Sequence, residues 1–224
     1  MAPVRLLGKI FAKPATAHVA PFLIFLALTA CQGRFGAESA YWFYFAKTLV
    51  GAWLVWEMRP LVSEMRWAFS WEAVVVGVGI FAIWVGLDPF YPKLSASGAT
   101  GNPNDTFGGG SALAGFFIAV HILGMTLVVP PLEEVFYRSF LYRWVARQDF
   151  LSVPLNRFLP WPFLATAAMF GFSHNEWLAG ILCGAAYQWL VLRKNRLGDA
   201  MTAHAITNFL LGVWIVWRGA WHFW

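Results

Sequence analysis

Charge is what this 224-residue sequence has least of: Asp, Glu, Lys and Arg together make up 12% of it. A water-soluble domain carries about 25%, so an ordinary soluble or disordered chain is excluded. Cysteine is nearly absent too. Cys31 and Cys183 sit in apolar runs on different predicted helices, and read as packing residues rather than a disulfide. No His and Cys spacing suits a structural zinc. There is no internal repeat and no soluble-domain boundary. The net charge of +5 is broken into short tracts such as Arg193-Lys194-Asn195-Arg196, so no continuous basic face exists and nucleic acid is excluded as a partner.

What fills the sequence instead is apolar: 59% hydrophobic residues, 18% aromatics and 14 tryptophans, whose rings favour the membrane–water interface. The expected fold class is all-α, a polytopic transmembrane bundle forming one integral membrane domain over 1–224. Apolar runs between polar or Pro/Gly breaks predict spans near 17–31, 40–57, 72–91, 112–142, 160–175, 177–193 and 198–218. The fourth is too long for one straight span. Pro130-Pro131 should kink it or divide it, giving seven or eight spans.

With the N-terminus in the cytoplasm, eleven Lys and Arg fall in inner segments: Arg5, Lys9, Lys13, Arg59, Arg66, Arg143, Arg147, Arg157, Arg193, Lys194 and Arg196. Only Arg34, Lys93 and Arg218 fall outside, which sets the expected orientation. The apolar run after Lys13 lacks a small-residue cleavage site and reads as a retained first span. Residues 93–111 read as a polar outer loop, and Lys47 as a side chain that snorkels to the outer interface.

A charged group inside a span costs about 2.5–3.5 kcal/mol on insertion scales, so each one needs a reason. Glu133, Glu134 and Arg138 share one predicted helix. Glu134 and Arg138, at i and i+4, lie on one face, while Glu133 points about 100° away. One carboxylate can therefore be paired while the other faces a polar cavity as a general base. A purely structural Glu–Arg pair fits these three residues equally well. His174 closes Phe170-Gly171-Phe172-Ser173-His174, and on its own reads more readily as structural than as catalytic. His204 and Asn208, again at i and i+4, put an imidazole and a carboxamide on one face. A base to activate water and donors to stabilise an oxyanion are the parts a hydrolase needs. Gly180 and Gly184 form a GxxxG helix-packing face. His18, His121 and His222 have no partner at useful spacing and read as structural or interfacial, and Glu176 stands close enough to orient His174.

EEVFYR, FGFSH and HAITN follow one another in order and resemble the EExxxR, FxxxH and HxxxN motifs of the CPBP family, which includes the CAAX prenyl endopeptidases and the abortive-infection proteins. These motifs fall in about 112–218. Longer stretches, WVGLDPFYP (84–92), VVPPLEEVFYRSFLYRW (128–144), FGFSHNEWLAG (170–180), AHAITNFLLGVW (203–214) and the ending Trp221-His222-Phe223-Trp224, look like the CAAX protease-related proteins of bacterial exosortase systems. The resemblance implies an intramembrane endopeptidase of a bacterial inner membrane, with membrane lipids and a membrane-held protein or peptide substrate as partners, and a link to an exosortase.

By motif position it implies that Glu133 activates water with His174 assisting, that His204 and Asn208 stabilise the oxyanion, and that Glu134 and Arg138 support them. It implies no cofactor, and a metal-free site is preferred to a zinc site, since there is no HExxH. Ser139 follows Arg138 where the family commonly has Gly. The alternatives are a zinc-dependent intramembrane metalloprotease and a non-catalytic assembly or immunity protein. A proton-relay transporter is a weaker rival, for want of an inverted repeat.

Overall fold

Serines start two of the long helices. Ser70 accepts from the Ala73 amide and Ser111 from the Ala114 amide, each satisfying a donor that the first turn leaves free. Left-handed residues stop two others, Asn195 at φ 52° and Gly219 at φ 64°. The computed structural model describes residues 13–95 and 101–224, and these are helical, with no strand among them. The helices are α1 (Pro14–Thr29), α2 (Ser39–Met58), α3 (Trp71–Leu87), the short α4 (Pro103–Phe107), α5 (Ala112–Ala146), α6 (Pro160–Phe172), α7 (Trp177–Lys194) and α8 (Gly198–Arg218). Trp71–Phe90, Ala112–Ala146 and Gly198–Arg218 are long and apolar enough to cross a membrane, and α1 is a shorter apolar helix.

Large apolar side chains face outward, and a mainly apolar core encloses a few charged groups. Leu23, Trp53, Val75, Leu164 and Trp217 are exposed, while Glu134, Arg138, Asp199 and His204 are buried. An apolar exterior around a core that encloses a few paired polar groups suits lipid as the solvent. Small residues let the helices close on that interior. A Cβ on Gly180 would meet the Gly171 backbone at 2.9 Å and one on Gly184 the Ala167 Cα at 3.1 Å, so the expected GxxxG face is where α7 meets α6. Gly77 plays the same part between α3 and α8, where a Cβ would strike the Ala203 carbonyl at 2.7 Å.

Three expectations are corrected. Pro130-Pro131 neither splits nor ends α5, which runs on for 35 residues. It widens instead into π-helical stretches at Gly124–Val128 and Val135–Leu141, on either side of the glutamate pair. Residues 93–111 are not all loop: Asn102 caps α4 by accepting from the Asn104 amide, and Phe107 packs on Tyr41 and Phe117. Lys47 does not snorkel outward. It is 6% exposed, donates to Thr29 Oγ1 at 3.0 Å, and lies over the rings of Tyr44 and Phe25.

The connections sort to two ends. Glu64 meets Arg143, Thr202 Oγ1 donates to the Ala68 carbonyl, and a Cβ on Gly198 would strike the Arg66 carbonyl, so the segments around 59–70, 143–159 and 195–198 share one end. At the other, Trp177 Nε1 donates to the Pro92 carbonyl and His222 meets Asp88. Arg59, Arg66, Arg147, Arg157, Arg193, Lys194 and Arg196 thus fall at one end, as the charge count requires. Arg5 and Lys9 of that count lie outside the described residues.

Candidate active site

The π-helical stretches of α5 build the site. In the first π stretch the Val129 amide reaches back five residues to the Gly124 carbonyl. In that register the donor for the Met125 carbonyl would be residue 130, which is proline and has no N–H. A buried carbonyl without a partner is costly, and Asn208 supplies one: its Nδ2 donates to the Met125 oxygen at 2.7 Å. Pro130 therefore accounts for the docking of the carboxamide of α8 on α5.

Between the two π stretches stand the carboxylates, and the structure separates them. Glu134 is fully buried. His204 Nδ1 donates to its Oε1 at 2.9 Å, and Arg138 Nε lies 3.2 Å from its Oε2. The latter contact is an ion pair whose N–H direction misses the oxygen, so neither atom gains a hydrogen bond. Glu133 keeps a side chain 15% exposed; its Oε2 lies 4.0 Å from His204 Nε2 and has no hydrogen-bond partner. One imidazole is thus shared: Nδ1 faces the paired carboxylate and Nε2 the free one. The expected Glu134–Arg138 pair is present. That Glu134 also holds His204, 70 residues on, has no signal in the sequence pattern.

Phe170 organises the rest. Its ring lies 4.2 Å below the Arg138 guanidinium, 4.7 Å from the His174 ring and 6.0 Å from that of His204. Its carbonyl receives His174 Nδ1 at 2.7 Å, so backbone and ring together fix the histidine four residues on. Tyr187 supports the other imidazole. Its ring stacks on His204 at 5.1 Å, and its hydroxyl donates to Thr207, whose own hydroxyl reaches the Gly77 carbonyl at 2.8 Å. Neither aromatic was picked out as a site residue from the sequence. The only signal was the first position of the FxxxH pattern, and for Tyr187 there was none.

A cavity of about 180 Å³ lies among α3, α5, α6, α7 and α8, with His174, Glu176, His204 and Asn208 in its wall beside Trp84 and Phe170. His174, His204 and Asn208 are brought together there. Glu133 is not part of that wall: it meets His204, and makes no hydrogen bond or ion pair with His174. Glu176 lies in the wall and does not hold His174, whose Nδ1 is taken by the Phe170 carbonyl with Ser173 Oγ at 3.2 Å. Burial raises the carboxyl of Glu176 above the ordinary range; Asp88 raises it further and His174 opposes it. Among the described residues no group of three His, Cys, Asp or Glu side chains is disposed to hold a metal ion. The donors that come nearest are engaged with each other: Glu134 with Arg138 and His204. His18, His121 and His222 lie elsewhere, against the Pro14 carbonyl, between the rings of Tyr44 and Trp224, and against Asp88. Cys31 and Cys183 are both free.

Residues 114–210 match the family described as Type II CAAX prenyl endopeptidase Rce1-like. The matched stretch holds every residue of the three motifs and is less than half of the chain. The match supports the CPBP/CAAX protease family and a protease activity, and the apolar helices support a multi-pass membrane protein. No curated protein matches the chain, and no solved structure does.

Proposed function

We propose that this protein is an intramembrane endopeptidase in which Glu133 activates water for attack on a peptide bond of a membrane-held protein. The observation that carries this reading is the unequal state of two adjacent carboxylates. Glu134 is occupied by Arg138 and His204, while Glu133 Oε2 is buried with no hydrogen-bond partner, 4.0 Å from an imidazole nitrogen. A buried carboxylate oxygen without a donor is costly, and a water molecule is the group that would satisfy it.

In the proposed reaction Glu133 takes a proton from that water as it adds to the carbonyl carbon. The carbonyl oxygen becomes an oxyanion, and the proton held by Glu133 passes to the leaving amine as the tetrahedral intermediate collapses. His204 and Asn208 are assigned to the oxyanion. Asn208 spends one amide hydrogen on the Met125 carbonyl and keeps another to donate. His174, across the cavity, assists with the water or the leaving group. Glu134 and Arg138 hold His204 in place, as the outer partner of a catalytic histidine does. The step needs no metal, and the zinc-dependent reading makes the opposite prediction under chelation. The link to exosortase systems and the inner-membrane location rest on sequence resemblance and belong to this proposal.

The test uses purified protein in liposomes with a set of membrane-anchored reporter peptides, assayed with and without a strong chelator. Cleavage that survives chelation and fails in Glu133→Gln supports the reading. Cleavage lost with the metal moves it to the zinc mechanism. A chain that cleaves nothing, yet supports export of a partner equally well as Glu133→Gln, is a non-catalytic assembly protein.

A further inference from the structure

A second, larger cavity of about 880 Å³ opens at the end of the bundle where the 59–70 segment lies, lined by Trp56, Arg59, Arg66, Trp67, Pro131 and Met201 among others. Pro131 and Met201 place its inner wall close to the candidate site: Pro131 is two residues before Glu133, and Met201 three before His204. Arg59 and Arg66 are exposed, and neither guanidinium has a hydrogen bond or a carboxylate within 4.0 Å among the described residues. Glu64, the acidic residue between them in sequence, is consumed by Arg143. Trp56 and Trp67 are 66% and 49% exposed beside them.

The groove is preformed, because its outer wall is tied down twice. Glu64 binds both Arg143 and Ser139 on α5, and the Ala68 carbonyl accepts from Thr202 on α8 at 2.7 Å. Close approach of Gly198 to the backbone of Arg66 and Ala68, where a Cβ would lie 2.2 and 2.5 Å away, leaves that wall no slack. Two unpaired guanidiniums and two exposed indole rings lining one groove are complementary to one kind of ligand. The ligand needs an anionic head with several acceptor oxygens for Arg forks and an apolar chain that runs along the rings.

We propose that this groove is a specific site for an anionic phospholipid, with Arg59 and Arg66 on its phosphate and an acyl chain along the exposed rings of Trp56 and Trp67. The site stands whether or not the chain is a protease, because its readout is lipid retention. The experiment is native mass spectrometry of the full chain released from nanodiscs of equal phosphatidylglycerol and phosphatidylcholine. Wild type retains phosphatidylglycerol over phosphatidylcholine. The Arg59→Gln/Arg66→Gln variant loses about thirtyfold of that preference, about fivefold for each charge near a membrane surface. Arg59→Lys/Arg66→Lys recovers part of it. Both arginines are exposed and unpaired, so an unchanged Tm is expected and serves as the folding control. Equal retention of the two lipids by wild type overturns the proposal, as does a preference that survives in the double Gln variant. A lipidated peptide that displaces phosphatidylglycerol as its free acid but not as its amide also overturns it, and assigns the groove to a substrate terminus.

Discussion

Two arginines of α5, Arg138 and Arg143, stand a little over one helical turn apart, each paired with a glutamate, and the two pairs are opposites. At Arg143 the pairing is saturated. Its guanidinium meets both oxygens of Glu64 at 2.9 and 2.8 Å and also donates to the Ser139 hydroxyl and the Ser139 and Val153 carbonyls. At Arg138 the pairing is incomplete. Arg138 Nε and Nη1, Glu134 Oε2 and Glu133 Oε2 are all buried without a hydrogen-bond partner. The first arrangement is what a structural tie looks like, joining the 59–70 segment to the helix. The second leaves polar atoms unsatisfied where they cost stability, which is what the proposed catalytic role draws on. The same two residue types thus meet in two different states, and the count of satisfied atoms distinguishes them.

Breaking each pair sharpens that contrast. The largest stability effect is expected at Arg138→Met, which leaves Glu134 fully buried with its cation gone; denaturant unfolding in detergent should show a loss of about 3–5 kcal/mol. Arg143→Met should cost less, about 1–3 kcal/mol, since Glu64 keeps a side chain 22% exposed to water, and any reporter cleavage per folded molecule should be unchanged. Ser139→Gly restores the residue the motif usually carries there. It removes the hydroxyl that donates to Glu64 and accepts from Arg143, for about 1 kcal/mol, again with cleavage retained. The smallest effect concerns pH. A carboxyl raised above its unfolded value gives a contribution that is full below that value and lost as pH rises through the folded one. Glu176 is so raised; unfolding measured from pH 4 upward should therefore show stability falling slightly, and Glu176→Gln should flatten that slope.

Much of the fold was legible because lipid imposes length and polarity on helices. The predicted span 198–218 is the observed α8, and 40–57 lies within α2. The pairs at i and i+4, Glu134–Arg138 and His204–Asn208, were legible for the same reason, since one helix face is a local property. What was not legible is long-range. Glu64 with Arg143, His204 with Glu134 and Tyr187 with Thr207 are separated by 79, 70 and 20 residues, and no periodicity announces such meetings. Lys47 falls early in its span, which suggests the outer interface, whereas Thr29 and two rings hold it inside. The π stretches escaped as well. Pro130-Pro131 signalled a disturbance, but whether a helix breaks or widens depends on what can take the freed carbonyl, here Asn208 of another helix.

The most direct test sets the unpartnered acid beside the paired one: Glu133→Gln and Glu64→Gln, each assayed for reporter cleavage per folded molecule and for Tm. Glu133→Gln should lower cleavage by about 10²–10⁴-fold, the range of a general base, with Tm unchanged or raised because an unpartnered buried carboxylate has been neutralised. Glu64→Gln should lower Tm and leave cleavage intact. Wild-type cleavage by Glu133→Gln would contradict the account.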